Sequence, residues 1–95
     1  MSNGYNGWSN YETWRVNLEM LDGMTLDDMG IDLTENDDHS EIAVQLAEAL
    51  EQHCVETVSM DAKGFALDLA IDFLNRVDWD EIAEHMIADA QAELV

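Results

Sequence analysis

Positive charge is the property that this sequence has least of. Its 95 residues include 22 aspartates and glutamates but only 3 lysines and arginines, which gives a formal net charge of −19. Arg15, Lys63 and Arg76 are too few to form a phosphate-binding patch against that background, so direct nucleic-acid binding through a basic face is nearly ruled out. Binding to an anionic membrane surface is disfavoured for the same reason.

Cysteine, proline and long apolar runs are also scarce or missing. The chain has no proline, and its one cysteine, Cys54, excludes an internal disulfide and a cysteine-rich zinc site. No apolar run approaches the roughly 20 residues of a transmembrane helix, and the polar residues 1–8 do not form a signal peptide. We therefore expect a soluble protein, and a reducing cytoplasm is the simpler compartment.

Signals for helix starts, by contrast, are abundant. In three places a serine or aspartate is followed three residues later by glutamate, the capping-box pattern of a helix N-terminus: Ser9–Glu12, Asp38–Glu41 and Asp78–Glu81. Apolar residues at helical spacing follow each pattern. The sequence predicts four helices, over about residues 10–21, from Asp38 to about 58, from Ser59 or Asp61 to about 77, and from Asp78 onward.

The apolar stripes of these helices are expected to meet in one core. Trp14 and Trp79 are predicted to be large apolar anchors at the starts of the first and last helices. The stripe of the third helix is predicted to be Phe65, Leu69, Phe73 and Leu74. The fold class that follows is all-α, a compact four-helix domain over residues 1–95 with short loops, an acidic surface and a flexible N-terminal loop at residues 1–8.

Residues 24–37 have a weaker pattern. Thr25 to Met29 fits a single helical turn, with Thr25 as the cap, Asp28 three residues later and Gly30 ending it. Ile31 and Leu33 alternate with a polar residue, but a lone strand without a partner is not stable. We expect the rest of this segment to be a loop.

Catalytic and metal-binding patterns are missing from the sequence. The acidic stretch from Asp32 fails as a calcium loop, because Asp37 and Ala43 stand where a glycine and a bidentate glutamate are needed. His53 and Cys54 are helical neighbours that point about 100° apart, so Cys54 is predicted to be a buried structural thiol. We expect no enzyme activity, no metal and no cofactor.

The acidic residues themselves are the remaining functional signal. In the third helix Asp68 and Asp72 are a like-charge pair four residues apart, which destabilises a helix by a few tenths of a kcal/mol. Residues 27–41 contain seven acidic residues and no basic one: Asp27, Asp28, Asp32, Glu35, Asp37, Asp38 and Glu41. Three explanations stay open: imitation of nucleic-acid phosphates, adaptation to a salty cytoplasm, and a surface that is merely solvated.

Two stretches carry a resemblance to a known family. Residues 6–18 read NGWSNYETWRVNL, and residues 77–85 read VDWDEIAEH. Together they resemble a family of short, mostly uncharacterised proteins of phages, plasmids and other mobile elements, with an Asn-Tyr-Glu-Thr-Trp signature and a C-terminal Trp-x-Glu-Ile-Ala-x-His helix. Glu19 departs from that pattern, since the family often carries a tryptophan after the position of Leu18, and residues 22–60 lie outside the resemblance.

The resemblance implies a setting in the cytoplasm of a host cell. Small acidic proteins of mobile elements often disarm host defences by mimicking DNA. The sequence-based hypothesis is therefore an inhibitor of a basic nucleic-acid-binding complex of host defence, a CRISPR effector first and a restriction enzyme second. The residues predicted to bind that partner are Asp27, Asp28, Asp32, Glu35, Asp37 and Asp38, with Asp80, Glu84 and Asp89 as a second strip.

Two other classes compete with this hypothesis. A structural or regulatory mobile-element protein would act without a nuclease target, for example as a homodimer through an apolar helix face. A metal-dependent enzyme would bind divalent ions tightly and with a defined stoichiometry. The signature residues Ser9, Glu12, Asp78 and Glu81 are predicted to be helix caps, and His85 to hydrogen-bond between helices.

Overall fold

The computed structural model describes residues 7–31 and 38–94. Within them the chain forms four α-helices and one short 3₁₀ turn, and no strand, so the predicted all-α class is confirmed. The elements are α1 (Tyr11–Met20), the 3₁₀ turn (Asp27–Met29), α2 (His39–Asp61), α3 (Gly64–Leu74) and α4 (Trp79–Leu94).

The pairing of α2 with α4 is the centre of the molecule. Leu46 and Leu50 of α2 and Ile82 and Ala83 of α4 are completely buried, and these two helices make the most extensive contact of any pair. Each fully buried leucine or isoleucine stabilises the fold by about 1.5–3 kcal/mol relative to exposure. The other members of the core are Val16, Leu21, Leu26, Ile42, Ala47, Cys54, Leu74, Val77, Trp79 and Ile87.

The predicted helix caps at the starts of α2 and α4 are confirmed. Asp38 caps α2 by accepting from the backbone N–H of Ser40 at 3.0 Å. Asp78 accepts from the backbone N–H of Glu81 at 3.1 Å at the start of α4. Because such bonds satisfy backbone donors that the helix cannot, the sequence alone fixes where these helices begin.

The short turn before α2 also follows its prediction. The Asp28 carboxylate accepts from the backbone N–H of Thr25 at 2.9 Å, and the Thr25 hydroxyl accepts in return from the Asp28 N–H at 3.4 Å. Gly30 then ends the turn with a φ of 74°, a left-handed conformation that favours glycine. The predicted residues Tyr5, Asp32, Leu33, Glu35 and Asp37 lie outside the described residues.

The predicted cap of α1 is wrong by one residue. Asn10, not Ser9, caps the helix, and its side chain accepts from the Thr13 N–H at 2.8 Å. Glu12, predicted to complete the capping box, instead lies 3.9 Å from Arg76. Ser9 makes a long-range contact that a local pattern cannot reveal, since its partner is 72 positions away in the chain.

The boundary between α2 and α3 also differs from the prediction. The third helix was expected to start at Ser59 or Asp61, but α2 continues to Asp61 and α3 begins only at Gly64. The backbone N–H of Ala62 still donates to the Val58 carbonyl, so nothing interrupts α2 before that point. Gly64 has a φ of 60°, which breaks the helical path and sets the new direction of α3.

The predicted core stripe of α3 is the largest correction. Leu74 is buried and Phe73 is half-buried, as expected. Phe65 and Leu69, however, are 76% and 54% exposed. The α3 helix meets α2 and α1 with only part of its apolar surface, so its N-terminal half leaves the core.

Candidate functional site

Acidic residues cover most of the chain without any basic residue beside them. Residues 10–20 and 58–76 hold all three basic residues and five acidic ones, a net charge of −2. The other 17 of the 22 acidic residues lie in segments 21–57 and 77–95, which contain no lysine or arginine. The formal charge of −19 is therefore concentrated in segments 21–57 and 77–95, which include most of α2 and all of α4.

The first predicted group of binding residues is exposed wherever it is described. Asp27 and Asp28 lie on the 3₁₀ turn, and Asp38 precedes α2. Asp28 and Asp38 also accept backbone hydrogen bonds, which hold each carboxylate in a fixed direction. Asp28 and Asp38 therefore stabilise the local backbone and also expose their charge.

The second predicted group lies on two sides of α4. Asp80 and Glu84 are exposed and four residues apart, so they share one side of the helix. Asp89, also exposed, follows Glu84 by five residues and lies about 140° further around the axis. The three carboxylates thus flank α4 instead of forming one line along it.

The fold brings each side of α4 to a different part of the first group. Glu84 lines a shallow groove with His39 and Ser40, the residues that follow Asp38. Asp89 lines another groove with residues 23–26, next to Asp27 in the chain. Glu84 and Asp89 therefore lie near described residues that follow and precede the first group in the chain.

The ring of His39 contacts α4. His39 Nδ1 lies 2.9 Å from Gln91 Nε2, within hydrogen-bonding distance. This contact joins the start of α2 to the C-terminal half of α4.

Metal-binding chemistry finds no geometric support in residues 7–31 and 38–94. No group of three or more histidine, cysteine and acidic side chains in these ranges converges closely enough to hold a metal ion. Cys54 is buried as predicted, and burial raises the pKa of its thiol to about 12. A thiol that is protonated at neutral pH is a poor nucleophile and a poor metal ligand.

The two signature stretches contact each other where α1 meets the turn between α3 and α4. The Thr13 hydroxyl is completely buried and accepts from the Asp78 N–H at 2.8 Å. Asn10 donates from its side chain to the Arg76 carbonyl at 2.9 Å. We call these contacts the clasp, together with the contacts of Ser9 with Glu81 and of Trp8 with His85.

Ser9 and Trp8 extend the clasp onto α4. The Glu81 carboxylate accepts from both the backbone N–H and the hydroxyl of Ser9, at 3.1 and 2.8 Å. The Trp8 ring stacks on His85 with ring centroids 4.3 Å apart. The signature residues therefore fasten the N-terminal segment to α4, which is a structural role for the motifs.

A feature that the sequence prediction missed is an exposed apolar region on α3 and its neighbours. A groove of about 560 Å³ runs between α1 and α3, lined by Tyr11, Met20, Leu69 and Phe73 among others. Arg15 crosses its rim with hydrogen bonds to Tyr11 and Glu19, which raise the pKa of the guanidinium further. The available signal was the composition of α3, which has only two charged residues in eleven.

None of the helices in the described ranges has both the length and the apolarity that crossing a membrane requires.

The comparisons with known proteins give a family without an assigned activity. The model of a "Family of unknown function (DUF7249)" matches residues 1–94, so the chain belongs to that family. No curated protein and no solved structure matches the chain.

Proposed function

We propose that this DUF7249 member is a non-catalytic inhibitor that imitates nucleic acid and occupies a basic DNA- or RNA-binding channel. The partner would be a nucleic-acid-binding complex of host defence, a CRISPR effector first and a restriction enzyme second. The observation that carries the proposal is the segregation of charge, with 17 acidic residues in segments that contain no basic one.

Such a surface suits a channel built for phosphates. Duplex DNA carries one negative charge per about 1.7 Å of its axis, and its binding proteins present lysines and arginines to that density. A helical body with fixed carboxylates would meet those side chains without the conformational cost of ordering a flexible acidic tail. Electrostatic attraction would also speed association, and it would weaken with salt.

The unopposed carboxylates also destabilise the fold, and a binding function would explain why they are present. Unopposed charge of one sign destabilises a compact fold through self-repulsion, and interspersed lysines would remove that repulsion. The chain has lysine or arginine only beside α1 and α3. The host-defence setting comes from the resemblance of residues 6–18 and 77–85 to proteins of mobile elements.

The first experiment is capture of partners from host lysate with the tagged protein, followed by elution with a salt gradient or with competing duplex DNA. The proposal predicts that duplex DNA releases a nuclease or a CRISPR complex at modest salt. Retention of partners that respond neither to DNA nor to salt would contradict it.

A pair of variants with the same charge change separates a specific surface from net charge. The triple variant Asp80→Asn, Glu84→Gln, Asp89→Asn neutralises the predicted residues of α4. The control, Glu41→Gln, Glu48→Gln, Glu56→Gln, removes the same charge from exposed positions of α2. We expect the α4 variant to release the partner at lower salt than the control, whereas equal effects would reduce the mechanism to non-specific attraction.

One observation favours the alternative class, a structural or regulatory protein that self-associates. Phe65 and Leu69 on α3 are 76% and 54% exposed, and a second copy could cover them. This alternative predicts a complex that does not compete with DNA.

A further inference from the structure

The corner between α2 and α3 holds the two most exposed large apolar side chains of the described residues. Met60 at the end of α2 is 79% exposed, and Phe65 and Leu69 of α3 are 76% and 54% exposed. The groove between α1 and α3 continues this surface through Leu69 to Phe73. We call Met60, Phe65, Leu69 and the adjoining groove the α3 face.

The α3 face is also where nearly all charge compensation of the molecule occurs. Arg15 pairs with Glu19 at 2.6 Å beside the groove, and Arg76 pairs with Asp72 at 3.0 Å on α3. Lys63, the third basic residue, immediately precedes the helix. A surface of mixed sign and low net charge therefore lies on a chain that is otherwise acidic.

We propose that the α3 face is the interface of a homodimer, with a second copy of this chain as its occupant. Two chains of charge −19 repel each other wherever their carboxylates meet, and the segments that form this face have a net charge of only −2. A partner chosen for opposite charge would bind the acidic side instead. The proposal does not depend on the proposed function.

The arrangement of charge on α3 suits a two-fold interface. Such an interface must be self-complementary, because the same patch faces itself. Lys63 and Asp68 are exposed, and neither forms an ion pair with any residue in the described ranges. A two-fold axis near Phe65 brings the N-terminal ends of the two α3 helices together, and Lys63 of each copy can then pair with Asp68 of the other.

The experiment is sedimentation velocity of the full chain over a range of protein and salt concentrations. We expect a monomer–dimer equilibrium that strengthens as salt rises, because screening weakens the repulsion between two acidic bodies. A complex between the acidic side and a basic partner would weaken with salt. The opposite salt dependences separate failure of this proposal from failure of the proposed function.

Matched serine variants locate the interface. Leu69→Ser and Val44→Ser change side chains that are 54% and 55% exposed, but Val44 lies about 24 Å along α2 from Met60. We expect Leu69→Ser to weaken dimerisation by about tenfold or more, and Phe65→Ser with Leu69→Ser by about a hundredfold or more, while Val44→Ser has no effect. Equal weakening by Leu69→Ser and Val44→Ser, or a wild-type chain that stays monomeric in all conditions, would overturn the proposal.

A charge exchange tests the pairing of Lys63 with Asp68 across the interface. Lys63→Glu and Asp68→Lys each create two like-charge contacts in their own homodimers. Mixed together they restore two contacts of opposite sign in the heterodimer. We expect each variant alone to dimerise more weakly than the mixture, and a mixture no stronger than the average of the two would contradict this pairing.

Discussion

The α2–α4 pair and α3 differ in a way that composition alone does not suggest. The pair carries most of the unopposed acidic residues, yet Leu46, Leu50 and Ile82 within it are completely buried. The α3 helix has only two charged residues in eleven, yet Leu74 is its one buried residue. Burial in this protein therefore follows the position of a helix in the fold, and the most apolar helix is the least buried.

The comparison teaches that the basic residues and most of the exposed apolar side chains lie in other segments than the unopposed acidic residues. Segments 21–57 and 77–95 hold 17 acidic residues and no basic one. The three basic residues lie in or beside α1 and α3, and these two helices also hold four of the six exposed large apolar side chains of the described residues; Val44 and Met60 lie on α2. This separation is consistent with two different contacts, one electrostatic and one apolar.

A leucine-to-alanine substitution in each of the two regions gives the largest expected difference in the free energy of unfolding. Leu46→Ala in α2 removes a completely buried side chain and is expected to lower the free energy of unfolding by about 2–5 kcal/mol. Leu69→Ala in α3, at 54% exposure, is expected to change it by less than about 1 kcal/mol. Urea unfolding of dilute protein measures both, and comparable losses would contradict the contrast between the regions.

The next largest loss of stability is expected from the clasp, which joins α1 to α4. Thr13→Val keeps the volume but leaves the Asp78 N–H without its acceptor in a buried position, at a cost of about 1–3 kcal/mol. Thr57→Val is the control, because its hydroxyl donates only to the His53 carbonyl of its own helix. Thermal unfolding should show a clearly lower Tm for Thr13→Val than for Thr57→Val. Similar Tm values would remove the clasp as a stabilising contact.

The buried thiol of Cys54 in the α2–α4 core makes the stability of the protein depend on pH. Burial raises the pKa of Cys54 from 9.0 to about 12, so the unfolded chain loses this proton first as pH rises. Below pH 9 the thiol is protonated in both states and contributes no pH dependence. Between about pH 9 and 12 we expect the stability of the wild type to fall relative to that of Cys54→Ala.

A cysteine on the exposed helix is the matched test. In the Cys54→Ala background, Leu69→Cys should react with an alkylating reagent in the native protein at ordinary thiol rates. Cys54 of the wild type should react only after unfolding. Rapid native labelling of Cys54 would show that the α2–α4 core opens more readily than its packing indicates.

The smallest predicted effects concern single charges. Glu48→Gln in the acidic region is expected to stabilise the monomer by a few tenths of a kcal/mol, because it relieves repulsion. Lys63→Gln should destabilise it by a similar amount, since it removes one of three basic residues. Both differences should shrink as salt screens the charges, and effects of the same sign would contradict the proposed segregation.

The local elements were predictable because their causes are local. Asp38 and Asp78 accept backbone hydrogen bonds from residues two and three positions away. The Thr25–Asp28 turn and its end at Gly30 depend on residues within one stretch. Of the candidate site, the exposure of the described carboxylates followed from the sequence, because charged side chains remain hydrated unless they are paired.

The errors share one physical cause, which is that the deciding contact is distant in the chain. Ser9 is a residue type that often caps helices, but its hydroxyl donates to the Glu81 carboxylate instead. The residue that caps α1 is Asn10. Phe65 and Leu69 have the spacing of a core stripe, but no helix in the described ranges covers them. Helical periodicity shows which residues share a face and not what that face contacts.

The sequence by itself determined the all-α class, the starts of α2 and α4 and the excess of negative charge, since capping, periodicity and charge are properties of short segments. Only the tertiary structure decided that the signature stretches form the clasp, that Glu84 lies beside residues 39–40 and Asp89 beside residues 23–26, and that Phe65 and Leu69 of α3 are exposed. Those outcomes depend on how the helices pack against one another, and packing is set by the whole chain at once.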